Sequence, residues 1–299
     1  MAYILGTQKR RWRTMNSADK FFLLLIGAGA FWVLSMLGAS MQDFSIQHLC
    51  GYLVRFDETG SWQAGTLLQG VFMTLRVSFW CLVLAFASGF FVGIVSAHKK
   101  GLTSLPGRLY VLMLRNMPPL ILLFLVFFFA SSLLTDMLMN IEYSIAKSSW
   151  KAWFYFFIAP EGQLDRMAAC VLTLGLYEGA YIAEIVRAGI ESVPYGQWEA
   201  GRAGGLTTWQ IRRYIVIPQT LRQSLAPLAG QSISIIKDSA IASVISLQEL
   251  TFQSMELMNV TGRTVELWIL TALLYYCLCL TLEKISKKWE RSIQWKPLY

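Results

Sequence analysis

Six long apolar stretches constrain this chain more than any other feature; they lie near 21–39, 66–96, 109–134, 167–190, 216–236 and 265–282. About 20 apolar residues in a helix cross the hydrocarbon core of a bilayer. Inside lipid each backbone amide has to find its partner within the segment itself, so the stretches predict spanning α-helices. The second stretch is longer than the core requires, which predicts tilt or projection beyond it. Composition agrees, with 55% apolar and only 15% charged residues.

Basic residues fix the expected orientation, because Lys and Arg accumulate on the cytoplasmic side. With the N-terminus inside, eighteen of the 26 Lys and Arg fall on the inner face and five on the outer, Arg76, Arg115 and Lys237 being in or near spans. Both termini and the segment 197–218 are therefore expected in the cytoplasm. The net charge of +8 reads as topology and attraction to anionic lipid rather than nucleic-acid binding, since no soluble basic domain is present.

The first stretch also fits a signal peptide, with small residues at Leu37-Gly38-Ala39-Ser40. Its apolar run exceeds the usual length of about 7–15 residues, so we read it as a retained helix. Residues 1–64 then form an N-terminal extension with one transmembrane helix and a periplasmic loop, 65–285 the main membrane domain, and 286–299 a cytoplasmic tail. The outer segment 135–165 reads as irregular, with an interfacial helix around Trp150, Trp153, Tyr155, Phe156 and Phe157. The five cysteines set no disulfide framework: four lie in apolar spans and Cys50 alone in the outer loop. Two histidines make a zinc site or a Ser/His/Asp constellation improbable, and no G-x-x-x-x-G-K-[ST] is present to cradle ATP phosphates.

Between the fourth and fifth stretches lies a polar loop, QWEAGRAGGLTTWQIRRYIVIP, from Gln197 to Pro218. Prolines at 194 and 218 and the pair Gly204-Gly205 predict a short helix, a sharp turn and a second short helix at the membrane face. Such a unit is a docking surface or an ordinary solvated loop; residues alone leave both open. Ionisable residues in spans each need a reason, because insertion costs about 2.5–3.5 kcal/mol. Arg76 either snorkels to the outer interface or faces a cavity as a cation for a substrate carboxylate. Arg115, before Asn116 and Pro118-Pro119, contacts lipid phosphate or occupies a gating position beside a kink. Glu184 and Arg187 pair on one helix face, with Glu178 higher on the same helix. Lys237-Asp238-Ser239 ends the fifth stretch and precedes AIASVISLQEL, a segment too short to span, which reads as a re-entrant gate. The pair Lys237 and Asp238 either meets a zwitterionic solute or holds the gate.

At the loop, Glu199-Ala200-Gly201, then Gly205, Ile215 and Pro218, resemble the "EAA loop" of permease subunits of ABC importers, with Gly201 where Ala is usual. Leu114-Arg115-Asn116-Met117-Pro118, Ala183-Glu184-Ile185-Val186-Arg187, Ile190-Glu191-Ser192-Val193-Pro194 and the run Ile236–Ser243 are similar to the polar amino-acid branch, over residues 65–285. The resemblance implies an all-α integral membrane protein of the type I ABC importer class, with five core helices, an extra N-terminal helix and a cytoplasmic coupling-helix loop at 194–218. It also implies the partners: a dimer of ATP-binding subunits docked on the loop, a second permease, identical or paralogous, and a periplasmic solute-binding protein. This chain then holds no cofactor, ATP and Mg residing on the partner ATPase, and is not itself an enzyme. The implied setting is a bacterial inner membrane and the implied solute a polar amino acid, most like glutamate/aspartate, with glutamine and basic amino acids as alternatives. An ion-coupled secondary transporter is the rival from another class; it would be longer, with inverted repeats.

Overall fold

The computed structural model describes residues 51–56, 61–97 and 104–293, together with isolated helical positions between 22 and 35. The predicted span 21–39, most of the loop 41–64 and the end of the tail fall largely outside these residues.

A feature absent from the apolar reading comes first: a short antiparallel pair, β1 (Val54–Phe56) and β2 (Trp62–Ala64), with Arg55 opposite Gln63. Tyr52 and Leu53 pack on a buried cluster of Leu67, Leu250, Met258 and Leu267, so the pair covers one end of the helical bundle. The chain then enters α1 (Thr66–Ser96), which coincides with the second apolar stretch.

The third predicted span is broken. α2 (Leu105–Arg115) and α3 (Pro119–Leu125) meet at 106°. Pro118 holds an extended ψ of 132° and Pro119 lacks the N–H that would continue a helix, so the axis turns between Asn116 and Pro118. From Pro119 the helix runs on through a five-residue π-helical turn (Val126–Ala130) into α4 (Ser131–Ala146), and α5 (Lys151–Phe157) follows. The segment 135–165, expected as irregular, is thus mostly helical. No glycine or proline occurs between residues 120 and 159, and an uninterrupted run of that kind carries no stop signal.

α6 (Leu164–Glu191) is the central helix: 67% of its apolar window is buried, against 33% for α1 and 17% for the last helix. Its partner is α1, and the two meet through reciprocal glycines four apart. On α1, a β-carbon at Gly89 would lie 2.6 Å from Ile182 Cβ and one at Gly93 2.7 Å from the Ala183 carbonyl oxygen. On α6, one at Gly175 would lie 2.8 Å from Leu84 Cδ2, and one at Gly179 would collide with Ser88 Oγ. Small residues at this spacing let two backbones approach in lipid, where no hydrophobic effect draws helices together.

The remainder is α7 (Tyr195–Ala203), α8 (Thr208–Ile211), a π-helical turn (Arg212–Val216), α9 (Ile217–Asp238), a 3₁₀ segment (Ser239–Ile245), α10 (Leu250–Thr261) and α11 (Thr264–Ile293). Among the described residues three helices, α1, α6 and α11, are long and apolar enough to cross a membrane, and the bent α2–α3 pair makes a fourth if taken as one span. The fifth predicted span is a 22-residue helix, long enough to cross but too polar to face lipid along its length, with Arg222, Gln231, Lys237 and Asp238 in it. The all-α membrane architecture stands, with α9 sheltered by protein or water.

Candidate functional site

The loop predicted to dock a partner is a helical hairpin built by two local signals. α7 ends in a Schellman turn: Gly205 N–H donates to Arg202 O at 3.0 Å, Leu206 N–H to Gly201 O at 3.1 Å, and Gly205 takes a φ of 77°. α8 begins two residues later in a capping box, where Thr207 Oγ1 accepts from Gln210 N–H and Gln210 Oε1 accepts from Thr207 N–H at 2.8 Å. Thr207 and Gln210 were not singled out in the sequence, although T-x-x-Q after paired glycine is the legible signature of such a start.

Packing divides the motif residues into two sets. Gly201 and Ile215 turn inward, into a small core with Val193, Ile211, Val216 and Trp198. Glu199, Ala200 and Gly205 are exposed, beside exposed Tyr195, Trp209 and Tyr214. Pro218 is partly buried just after the π-helical turn, within a continuous helical run where its missing N–H removes one bond of the ladder. At the base of the hairpin its two legs are clipped together. Thr220 Oγ1 donates to Gly189 O at 3.3 Å, and Ser192 Oγ sits between Gly189 O, at 2.7 Å, and Gln223 Oε1.

Immediately beyond the clip, the last turns of α6 carry a three-residue ion cluster. Arg187 grips Glu184 with two bonds, Nε at 2.9 Å and Nη2 at 2.5 Å, and reaches Glu191 with Nη1 at 2.6 Å. The pairing of Glu184 with Arg187 read from the sequence is present, and Glu191 completes it. These residues line a cavity of about 830 Å³ between the end of α1, α2 and α6. Arg115 stands on its wall with its guanidinium 5.1 Å from the centroid of the Tyr181 ring, a cation–π arrangement.

From Tyr181 a polar ladder leads up the bundle. Its hydroxyl lies 3.1 Å from that of Tyr177, and the neighbouring Glu178, 1% exposed, accepts from Gln231 Nε2 on α9. Asp238 lies beside the Glu178 carboxyl, so the structure brings Glu178 and Asp238 together between α6 and α9, while Arg115 meets α6 at Tyr181 from the α2 side. Lys237 is not part of this group. Adjacent helical positions point about 100° apart, and Lys237 is exposed toward α11, within electrostatic reach of Cys279. Lys237 and Asp238 form no ion pair with each other among the described residues. Arg76 stands apart as well, partly buried on α1, with the Met73 sulfur 3.6 Å from its Nη1.

The segment expected as a gate leaves regular helix at Asp238. Buried Ser239 returns its hydroxyl to Ile236 O at 2.7 Å, the 3₁₀ segment ends at Ser246 in a left-handed conformation (φ 58°), and α10 starts. Its anchor is Glu249, a residue that the sequence reading passed over. Fully buried, Glu249 caps α10 by accepting from Thr251 N–H at 2.9 Å and Phe252 N–H at 2.8 Å, and it also accepts from Tyr275 Oη at 2.7 Å on α11. Thr74 of α1 closes the network, its Oγ1 accepting from Leu250 N–H at 3.1 Å. A reciprocal amide pair, Gln163 with Gln248, ties the same segment to the start of α6.

A helical bundle with a clipped polar hairpin, a charged cavity beside it and a 3₁₀ segment anchored by a buried glutamate suits a transport subunit. The chain belongs to the family described as "Binding-protein-dependent transport system inner membrane component", whose model matches residues 89–293. It is 30% identical over 213 residues to the probable amino-acid ABC transporter permease protein YckA of Bacillus subtilis (strain 168), covering 71% of this chain and 82% of that one. With the glutamine transport system permease protein GlnP of Escherichia coli (strain K12) it shares 29% identity over 246 residues, covering 81% and 99%. Relatives of comparable identity are named for L-cystine and for glutamate/aspartate. Among solved structures, that of an amino acid ABC transporter with histidines superposes with a TM-score of 0.60 at 29% identity, covering 76% of this chain and 94% of that one. The protein is an amino-acid ABC importer permease, a multi-pass transport component.

Proposed function

We propose that this permease forms one wall of an ATP-driven uptake path for a polar amino acid, with glutamate/aspartate as the solute, and that the hairpin 194–218 is where the ATPase grips it. The observation that carries the docking half is the division within the hairpin. Gly201, Ile211 and Ile215 fill its interior, leaving Glu199, Trp209 and Tyr214 as an exposed rigid surface. An ATP-binding dimer docks there, with Glu199 offered for a charge-assisted bond, and ATP and Mg stay on that dimer. The hairpin end is cytoplasmic, as are both termini. A second permease, identical or paralogous, completes the path, and a periplasmic solute-binding protein delivers to the opposite end.

α9 supports the path. A 22-residue helix whose free side carries Ala226, Gly230 and Lys237 suits water rather than lipid. Arg115, Glu178, Asp238 and Ser239 belong to this path or its gate, with Arg76 and Lys237 at its edges. Arg115, which makes no direct ion pair among the described residues, favours an acidic solute. A second reading, a basic amino acid, draws on the Glu178–Asp238 pair, which has no cation beside it in the ion pairs of the described residues.

Reconstitution with the ATPase and binding protein tests both halves. Glu199→Lys is expected to abolish co-purification with the ATPase and ATP-dependent glutamate uptake together. Full uptake by that variant, or glutamate uptake driven by an ion gradient without ATPase, overturns the proposal.

A further inference from the structure

We infer that the cavity between α1, α2 and α6 is a carboxylate site for the amino acid on its way out, with Arg115 as the residue that holds it; the inference rests on the uptake reading above. At about 830 Å³ the space lies within the range of small-molecule sites, about 300–1,000 Å³, so a single amino acid with its water fits. It opens beside the hairpin, where a solute leaving the bundle would pass.

Charge decides what the cavity accepts. Arg108, Arg115 and Arg187 line it, against Glu184 and Glu191. Arg187 is committed, with three bonds to the two glutamates. Arg115 differs: its guanidinium rests on the Tyr181 ring with Glu184 within electrostatic reach, and it makes no direct ion pair among the described residues. A guanidinium edge bonds a carboxylate in bidentate fashion, and the aromatic face fixes the plane in which it does so. Ser96, 2% exposed at the cavity wall, has an Oγ with no hydrogen-bond partner among the described residues. A buried hydroxyl of that kind is a donor in want of an acceptor.

The bare chain provides the test, in nanodiscs of neutral lipid without ATPase or binding protein. Arginine-selective modification by phenylglyoxal, read peptide by peptide with mass spectrometry, reports each guanidinium. L-Glutamate is expected to slow modification of Arg115 by about tenfold or more at saturation, the scale of one charge-assisted contact, while ethylamine has no effect. Arg187, already paired, should respond to neither. Saturation-transfer NMR with L-glutamate gives an independent readout, expected to weaken about tenfold in Arg115→Ala and less in Arg115→Lys, which keeps the charge. Unchanged Arg115 labelling under saturating glutamate overturns the assignment. Protection that appears only with added phosphatidylglycerol makes the occupant a lipid phosphate and overturns it too. Because no ATPase is present, Glu199→Lys should leave the protection intact, so a failure of docking and a failure of this site are separable.

Discussion

Gly201 and Ile211 stand so close that a β-carbon on the glycine would lie 2.8 Å from Ile211 Cγ1, with Ile215 Cδ1 only slightly farther at 3.1 Å. The place where this chain departs from the usual alanine is therefore the hairpin glycine with the least room for a side chain. An alanine asks one isoleucine side chain to shift; a valine forces the two helices apart, at about 1–3 kcal/mol. Gly201→Val should insert normally yet fail to pull down the ATPase, and Gly201→Ala should keep most of the interaction in the same pull-down.

Gly205 is constrained by its backbone and not by space, for nothing lies within 4 Å of its missing side chain and its φ is 77°. A left-handed conformation costs a non-glycine residue about 1–2 kcal/mol, and more for a β-branched one. Gly205→Val is expected to lower ATP-dependent uptake severely while leaving membrane insertion unchanged, and Gly205→Asn to lower it mildly. Equal uptake by the two would show that the turn is not strained as described.

The glycine seam between α1 and α6 offers a stability test remote from the hairpin. A side chain at Gly93 meets the Ala183 carbonyl and Val186 Cβ at 2.7 and 2.8 Å. Gly93→Leu should lower the thermal unfolding midpoint of the detergent-solubilised chain markedly, corresponding to about 3 kcal/mol or more. A leucine at exposed Gly230, which meets nothing within 4 Å, should leave that midpoint almost unmoved.

Glu249 serves two amides and a tyrosine at once, so the nature of its replacement matters. Glu249→Ala strips the cap and orphans Tyr275 Oη, for a combined loss of about 2–4 kcal/mol. Glu249→Gln retains one acceptor oxygen and should lose roughly half as much. Thermal unfolding of both variants measures this, and proteolysis near residues 246–250 should accelerate in the alanine variant first.

How far the sequence alone reaches can be judged residue by residue. The limits of α1 and the proline break before α3 were legible because length, apolarity and a missing N–H act locally. So were the two helices of the hairpin and their turn at Gly205. The helical nature of 135–146 was missed because polar residues such as Asp136, Asn140 and Glu142 resemble loop composition, whereas continuity from Pro119 decides the matter. The β1–β2 pair escaped notice because three-residue strands carry no periodicity.

Burial and long-range pairing belonged to the tertiary structure. Three G-x-x-x-G spacings can be read in the chain, at 89/93, 175/179 and 201/205, but only the fold shows that Gly89 and Gly93 face Ile182 and Ala183. Likewise Lys237 and Asp238 are neighbours in sequence, yet the helix sends one outward and the other toward Glu178, 60 residues away along the chain. Glu249 looks like any surface glutamate until Thr74 and Tyr275, from opposite ends of the chain, close around it. The sequence by itself determined the long apolar helix α1, the proline break before α3, the hairpin and the family, because each follows from short-range chemistry. Which charges are paired, which glycines are contacts and which arginine rests on an aromatic ring depended on three-dimensional neighbours that no local pattern specifies.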